Sequence, residues 1–149
     1  MFYDYCKIFH IISATVLLTS LAFCFRLWRD MQPSQLNRIS RRIQGQTWGV
    51  IIPAALIQLA TGFTMISLKH YDLNDMWLSG SIIGFIGVIG SWFGFMYFLL
   101  LSEQLIANDY QPTHSTLKYA FFRRIQSTML GLCLLSILAM IFFMANKVT

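Results

Sequence analysis

The chain has 149 residues, of which 56% are hydrophobic, 15% aromatic and only 11% charged, and its mean hydropathy is +0.60. A soluble domain needs about twice that charged fraction to coat its surface, so a disordered chain and an ordinary soluble domain are both excluded. The formal charge of +5 comes from 11 Lys and Arg against 6 Asp and Glu. Eight of these basic residues (Arg26, Arg29, Arg38, Arg41, Arg42, Lys118, Arg123 and Arg124) sit in two stretches between apolar runs, which is the distribution of a membrane protein. Nucleic acid is therefore not an expected partner, and the lipid bilayer is.

Four apolar segments, 6–25, 48–68, 77–101 and 126–145, each reach the roughly 20 residues that cross about 30 Å of hydrocarbon. The runs are continuous and do not alternate, so helices are expected and a membrane barrel is not. The chain reads as all-α, a four-transmembrane-helix membrane bundle forming one domain over residues 1–149 with no linker. The first run is read as a retained span and not as a signal peptide, because its start carries Lys7 against Asp4 and bulky Phe23 precedes Cys24.

After the first span, Pro33-Ser34 offers a helix start, and Leu36, Ile39 and Ile43 then repeat at helical spacing opposite Arg38, Arg41 and Arg42. This pattern predicts a short basic helix lying on the inner leaflet, with the three arginines as a lipid or partner surface. In the second span Pro53 is expected to produce a kink, Gln58, Thr61 and Thr64 form a modest polar face, and Gly62 permits close packing. The third span carries Gly80, Gly84, Gly87, Ser91 and Gly94 at spacings of four, three, four and three, a stripe expected to pack against another helix. Asn108 to Pro112 reads as a turn, with Thr113 or Ser115 as the cap of the helix that enters the fourth span.

The connection from Arg26 to Thr47 holds five basic residues and that from Leu101 to Ile125 holds three, while Lys7, Lys69 and Lys147 fall on the other side. The bias places both basic connections in the cytoplasm and both termini on the non-cytoplasmic side of a bacterial inner membrane.

The most informative polar position is His10, one turn inside the first span, where ionisable groups are rare and costly. Two readings stay open. It is either an axial ligand for heme iron or a proton carrier, or a neutral histidine bonded to a neighbouring helix or to interfacial water. His70, on the same side, and Met65 are the conceivable second axial groups. Arg26 ends the first span and is expected to snorkel or to pair with Asp30 one turn on. Cys6, Cys24 and Cys133 have no metal-type spacing, no metal is expected, and nucleophile-elbow, phosphate-loop and metalloprotease motifs are absent.

The stretch from Lys7 to Leu18, with His10-Ile11-Ile12-Ser13-Ala14-Thr15 at its centre, resembles the opening helix of a bacterial family of small four-helix integral membrane proteins with no assigned function. Trp28-Arg29, Pro53 with Thr61-Gly62, Trp77-Leu78, Trp92, and Tyr119 with Phe122-Arg123 extend the likeness along nearly the whole chain. Thr19 and Ser20 stand where such relatives often have a glycine. More distantly, Lys7 to Ile12, Arg26-Leu27 and Pro53 with Thr61-Gly62 resemble the HemJ-type protoporphyrinogen oxidases, a likeness that implies heme or porphyrin handling with His10 as the iron ligand. That family's lysine after the tryptophan of the third helix is replaced by Ser79-Gly80-Ser81, and its Asn-Glu-Pro is absent near Gln126-Ser127-Thr128. The expected function is a non-enzymatic subunit or accessory component that packs through the third span against another membrane protein or a second copy. A heme- or porphyrin-binding redox protein using His10 is the alternative.

Overall fold

The computed structural model describes residues 2–72, 75–108 and 112–145. The regular elements within them are helical: α1 (Phe2–Arg29), a 3-10 turn (Pro33–Gln35), α2 (Leu36–Gln46), a π-helical turn (Thr47–Ile51), α3 (Ile52–Lys69), α4 (Met76–Asn108) and α5 (Pro112–Ala145). Four stretches are long and apolar enough to cross a membrane, namely Phe2–Arg29, Pro33–Lys69, Met76–Leu105 and Leu117–Ala145. The 28 residues of α1 extend about 42 Å, so its ends project beyond a hydrocarbon core of about 30 Å.

Packing divides the chain into two units, Met1–Tyr71 and Asp72–Thr149. In the first, α1 lies antiparallel to α3. Ser13, Leu17, Ser20, Leu21, Cys24 and Trp28 are buried at three- and four-residue spacings, which is one face of the helix. The partners on α3 run the opposite way along the chain: Lys69 Nζ stands 4.9 Å from the Tyr3 ring centre, while Gln58 meets Ser13. Toward the other end of α1, Cys24, Trp28 and Met31 are buried along with Leu36, Ile43 and Ile51 from α2 and the π turn.

The basic segment differs from its expected form. The backbone stays right-handed helical through Thr47 and Ile52, so α2 leads into α3 without a break and is not a separate surface helix. The irregularity is the π turn, and it directly precedes Pro53 in the first turn of α3. Proline offers no N–H, and its ring presses on the carbonyl four residues back, here Gly49; a widened turn at that place makes room for it. α3 ends on His70, whose φ of 50° is left-handed and whose N–H bonds Ile66 O, the usual geometry of a helix C-terminus.

In the second unit α4 and α5 are antiparallel partners. Buried residues recur on α4 at Leu78, Ser81, Phe85, Val88, Trp92, Phe95, Leu99 and Ser102, and on α5 at Gln126, Leu130 and Cys133. The Phe98 and Phe122 rings, one from each helix, lie 6.4 Å apart. α5 begins at Pro112, ahead of Thr113 and Ser115, because proline's fixed φ suits the first helical turn; the centre of the expected turn, 109–111, lies outside the described residues. Ile11, Leu56, Phe63, Ile83, Ile86, Leu134, Leu135 and Phe142 are among the large apolar side chains left exposed. In water these would be a liability, whereas in lipid they are the solvated surface.

Candidate functional site

His10 and Ser13 are three residues apart on α1, and Gln58 and Thr61 are three apart on α3, so each helix presents two polar groups on one face. The four interlock. His10 Nε2 lies 2.8 Å from Gln58 Nε2, and His10 Nδ1 lies 2.9 Å from Thr61 Oγ1. Ser13 Oγ donates to Gln58 Oε1 at 2.6 Å. The Gln58 amide donates to Nε2, so the ring is neutral with its proton on Nδ1, which donates to Thr61 Oγ1. Thr61 is free to accept because its own hydroxyl proton goes to Ile57 O at 2.7 Å. Ser13 and Gln58 are buried, His10 and Thr61 half-buried, and Gly62 stands beside the ring, a Cβ there falling 3.4 Å from His10 Cε1.

Both imidazole nitrogens are thus occupied by side chains of α3, a neutral arrangement bonded to a neighbouring helix. No described residue of α3 from Ala54 to Leu68 is ionisable. Among the described residues no group of three His, Cys, Asp or Glu side chains is placed to hold a metal ion, and no buried side-chain nitrogen or oxygen lacks a hydrogen-bond partner. In this geometry the cluster joins two helices, and any bond from Nε2 to another group requires Gln58 to withdraw.

The other polar positions of the first unit lie apart from this cluster. His70 caps α3 nine residues beyond Thr61, about 13 Å along the helix, and is exposed, so it does not face His10 as a second imidazole. Met65 is one turn beyond Thr61, and the Thr64 hydroxyl bonds back to Ala60 O at 2.7 Å. Asp30 pairs with Arg29 Nε at 3.1 Å and not with Arg26. Asp30 still stands one helical turn beyond Arg26, its N–H bonding Arg26 O at 3.2 Å, but its carboxylate turns to Arg29; both partners of that pair are more than half exposed, and it contributes little.

On α4 the small residues face α5. A Cβ added at Gly84 would come within 3.0 Å of Met140 Cβ and 3.2 Å of Ser136 O; at Gly87 it would meet Ser136 Oγ at 2.6 Å, and at Gly94 Met129 Sδ at 3.1 Å. At Gly80 it would strike the Phe143 ring, while Ser91 Oγ turns back to Gly87 O at 2.6 Å. The surface on which a separate partner was expected is therefore taken by the chain's own fourth span. Gln126 of α5 adds a polar link, donating to Phe98 O and to Ser102 Oγ at 3.2 Å each.

Two participants escaped the reading of the sequence, Ser13 and the Gln126–Ser102 link. The signal for Ser13 was present, since matched three-residue spacings of polar groups on two apolar spans indicate facing pairs. Nothing comparable marks Gln126, whose partners include one hydroxyl and one backbone carbonyl.

Arg38, Arg41 and Arg42 are exposed on α2 while Leu36, Ser40 and Ile43 on its other side are buried. No characterised protein and no solved structure shows significant similarity to the chain. The helical, lipid-exposed architecture agrees with a match along residues 4–148, by which the chain belongs to the family described as "Predicted integral membrane protein (DUF2269)".

Proposed function

We propose that this protein is a non-enzymatic, multi-pass component of the bacterial inner membrane, in which His10 joins α1 to α3 and does not carry out chemistry. The observation that carries this reading is the closure of the His10 cluster, in which Gln58 and Thr61 occupy both ring nitrogens. A catalytic or ligand-binding histidine normally keeps one nitrogen for substrate, metal or a proton path. An accessory role fits a chain whose glycine stripe is used internally and which exposes many large apolar side chains and the basic face of α2.

The test is a reduced-minus-oxidised absorption spectrum of the protein purified in mild detergent from cells with ample heme supply, beside His10→Ala. A colourless protein is expected. A near-stoichiometric heme signal that disappears in His10→Ala overturns the reading in favour of a redox protein.

Sidedness is part of the same proposal. Reporter fusions after Gly45 and Pro112 are expected to read cytoplasm, and fusions between Lys69 and Asp75 and at Thr149 the opposite side. A cytoplasmic C-terminus overturns the proposed orientation.

A further inference from the structure

Arg38, Arg41 and Arg42 occupy positions i, i+3 and i+4 of α2, which contains no acidic residue. Among the described residues none of the three forms an ion pair or a hydrogen bond. Because α2 runs through the π turn into α3, these guanidinium groups are held at a set height above a membrane span. The same outer surface continues through Gly45, Trp48 and Gly49, all exposed, and a Cβ at either glycine would meet nothing within 4 Å. Trp48 is 67% exposed, and past it the exposed side chains are apolar: Leu56, Leu59 and Phe63. The order along the helix is cationic, bare, aromatic and then oily. Arg42 and Trp48 are about 9 Å apart along the axis, comparable to the headgroup layer of roughly 5–8 Å that flanks the hydrocarbon on each side.

We propose that this face binds an anionic phospholipid lengthwise. Its phosphate lies among Arg38, Arg41 and Arg42, its glycerol region over Gly45 and Gly49 beside the Trp48 indole, and an acyl chain along Leu56 and Phe63. Guanidinium groups present paired N–H donors that match phosphate oxygens, and an exposed indole prefers the depth at which ester groups lie. A soluble phosphate would satisfy the arginines but would leave the bare glycines and the exposed tryptophan without a role. The span keeps the site at the bilayer surface, where lipid is always present.

The test uses the full chain in phosphatidylcholine vesicles containing, at matched mole fraction, either phosphatidylglycerol or phosphatidylcholine with brominated acyl chains, which quench tryptophan on contact. Trp28 and Trp92 are buried, at 6% and 2% exposure, Trp77 is half-buried, and subtraction of a Trp48→Phe background isolates the Trp48 signal. The expected result is a preference for brominated phosphatidylglycerol of about fivefold or more, the effect of a single basic residue at an anionic surface. It should shrink as salt is raised and vanish in Arg38→Gln/Arg41→Gln/Arg42→Gln. Gly45→Leu, which retains every charge and whose Cβ meets nothing within 4 Å, is expected to lower it as well. Equal quenching by the two lipids, a preference that survives the triple substitution or Gly45→Leu, or one abolished by inorganic phosphate at the lipid concentration each overturns the proposal.

Discussion

Between α1 and α3 the contact is made by side chains that exchange hydrogen bonds, whereas between α4 and α5 it is made by the closeness of the backbones. The first pair places His10, Ser13, Gln58 and Thr61 in one closed set of bonds of 2.6–2.9 Å. The second removes side chains from one helix, so that Met140 and Ser136 come within 3.0–3.2 Å of where a Cβ of Gly84 would stand. Both answer the same difficulty. Lipid tails are as apolar as leucine, so burying leucine between helices gains little, and association must come from polar bonds or from dense van der Waals contact. The two solutions differ in tolerance. A hydrogen-bonded set has definite members, and losing one takes a bond from its partners, whereas a close backbone contact fails when anything larger is inserted.

That contrast orders the expected effects of substitution, read as changes in unfolding free energy in detergent micelles. Gly84→Leu should be the most damaging, lowering stability by about 3 kcal/mol, because a backbone oxygen and a Cβ cannot move aside as a side-chain tip can. An unchanged unfolding midpoint would break the account of the α4–α5 pair. Gln58→Leu comes next, at about 1–2 kcal/mol, since His10 Nε2 loses its donor and Ser13 is left with its longer bond to His10 O at 3.0 Å. A double-mutant cycle with His10→Ala should give a coupling of about 0.5–1.5 kcal/mol, and strict additivity would show that the bonds are not worth counting as a set.

Gln126→Leu tests whether the second pair also depends on polar bonds. The expected loss is about 1 kcal/mol or less, because its bonds to Phe98 O and Ser102 Oγ are long at 3.2 Å and Ser102 keeps its bond to Leu99 O. A loss larger than that of Gln58→Leu would reverse the contrast. Gly90→Ala should change stability by no more than about 0.5 kcal/mol, because no atom lies within 4 Å of its Cβ position and alanine is the better helix former. A large loss there would mean that this face of α4 also packs closely against something.

The residues differ in how openly they announced these roles. Gly80, Gly84, Gly87, Ser91 and Gly94 form a readable pattern, since few causes other than close approach place small residues at alternating four and three on an apolar helix. The pattern could not name the occupant, because any helix, from this chain or another, satisfies the same spacing. His10 stood out by its rarity in a span, and the facing residues Gln58 and Thr61 were visible as a polar face, yet the register that joins them is set by how far α1 slides along α3. Asp30 illustrates the opposite case, where helical spacing pointed to Arg26 and is kept by the backbone, yet the carboxylate pairs with the adjacent Arg29.

Span length and apolar composition, local properties that lipid imposes on any chain, already specify a helical membrane protein with four candidate spans among the described residues. The sequence also locates the polar and small-residue faces, since helical periodicity is carried by neighbouring residues. Three outcomes come from packing alone: the stripe of α4 is filled by α5, Gln58 meets both His10 and Ser13, and the basic α2 runs on into α3. Those outcomes depend on the rotation and sliding of whole helices and on how one widened turn resolves at Pro53. No window of sequence contains that information, because the atoms that decide it lie far apart along the chain.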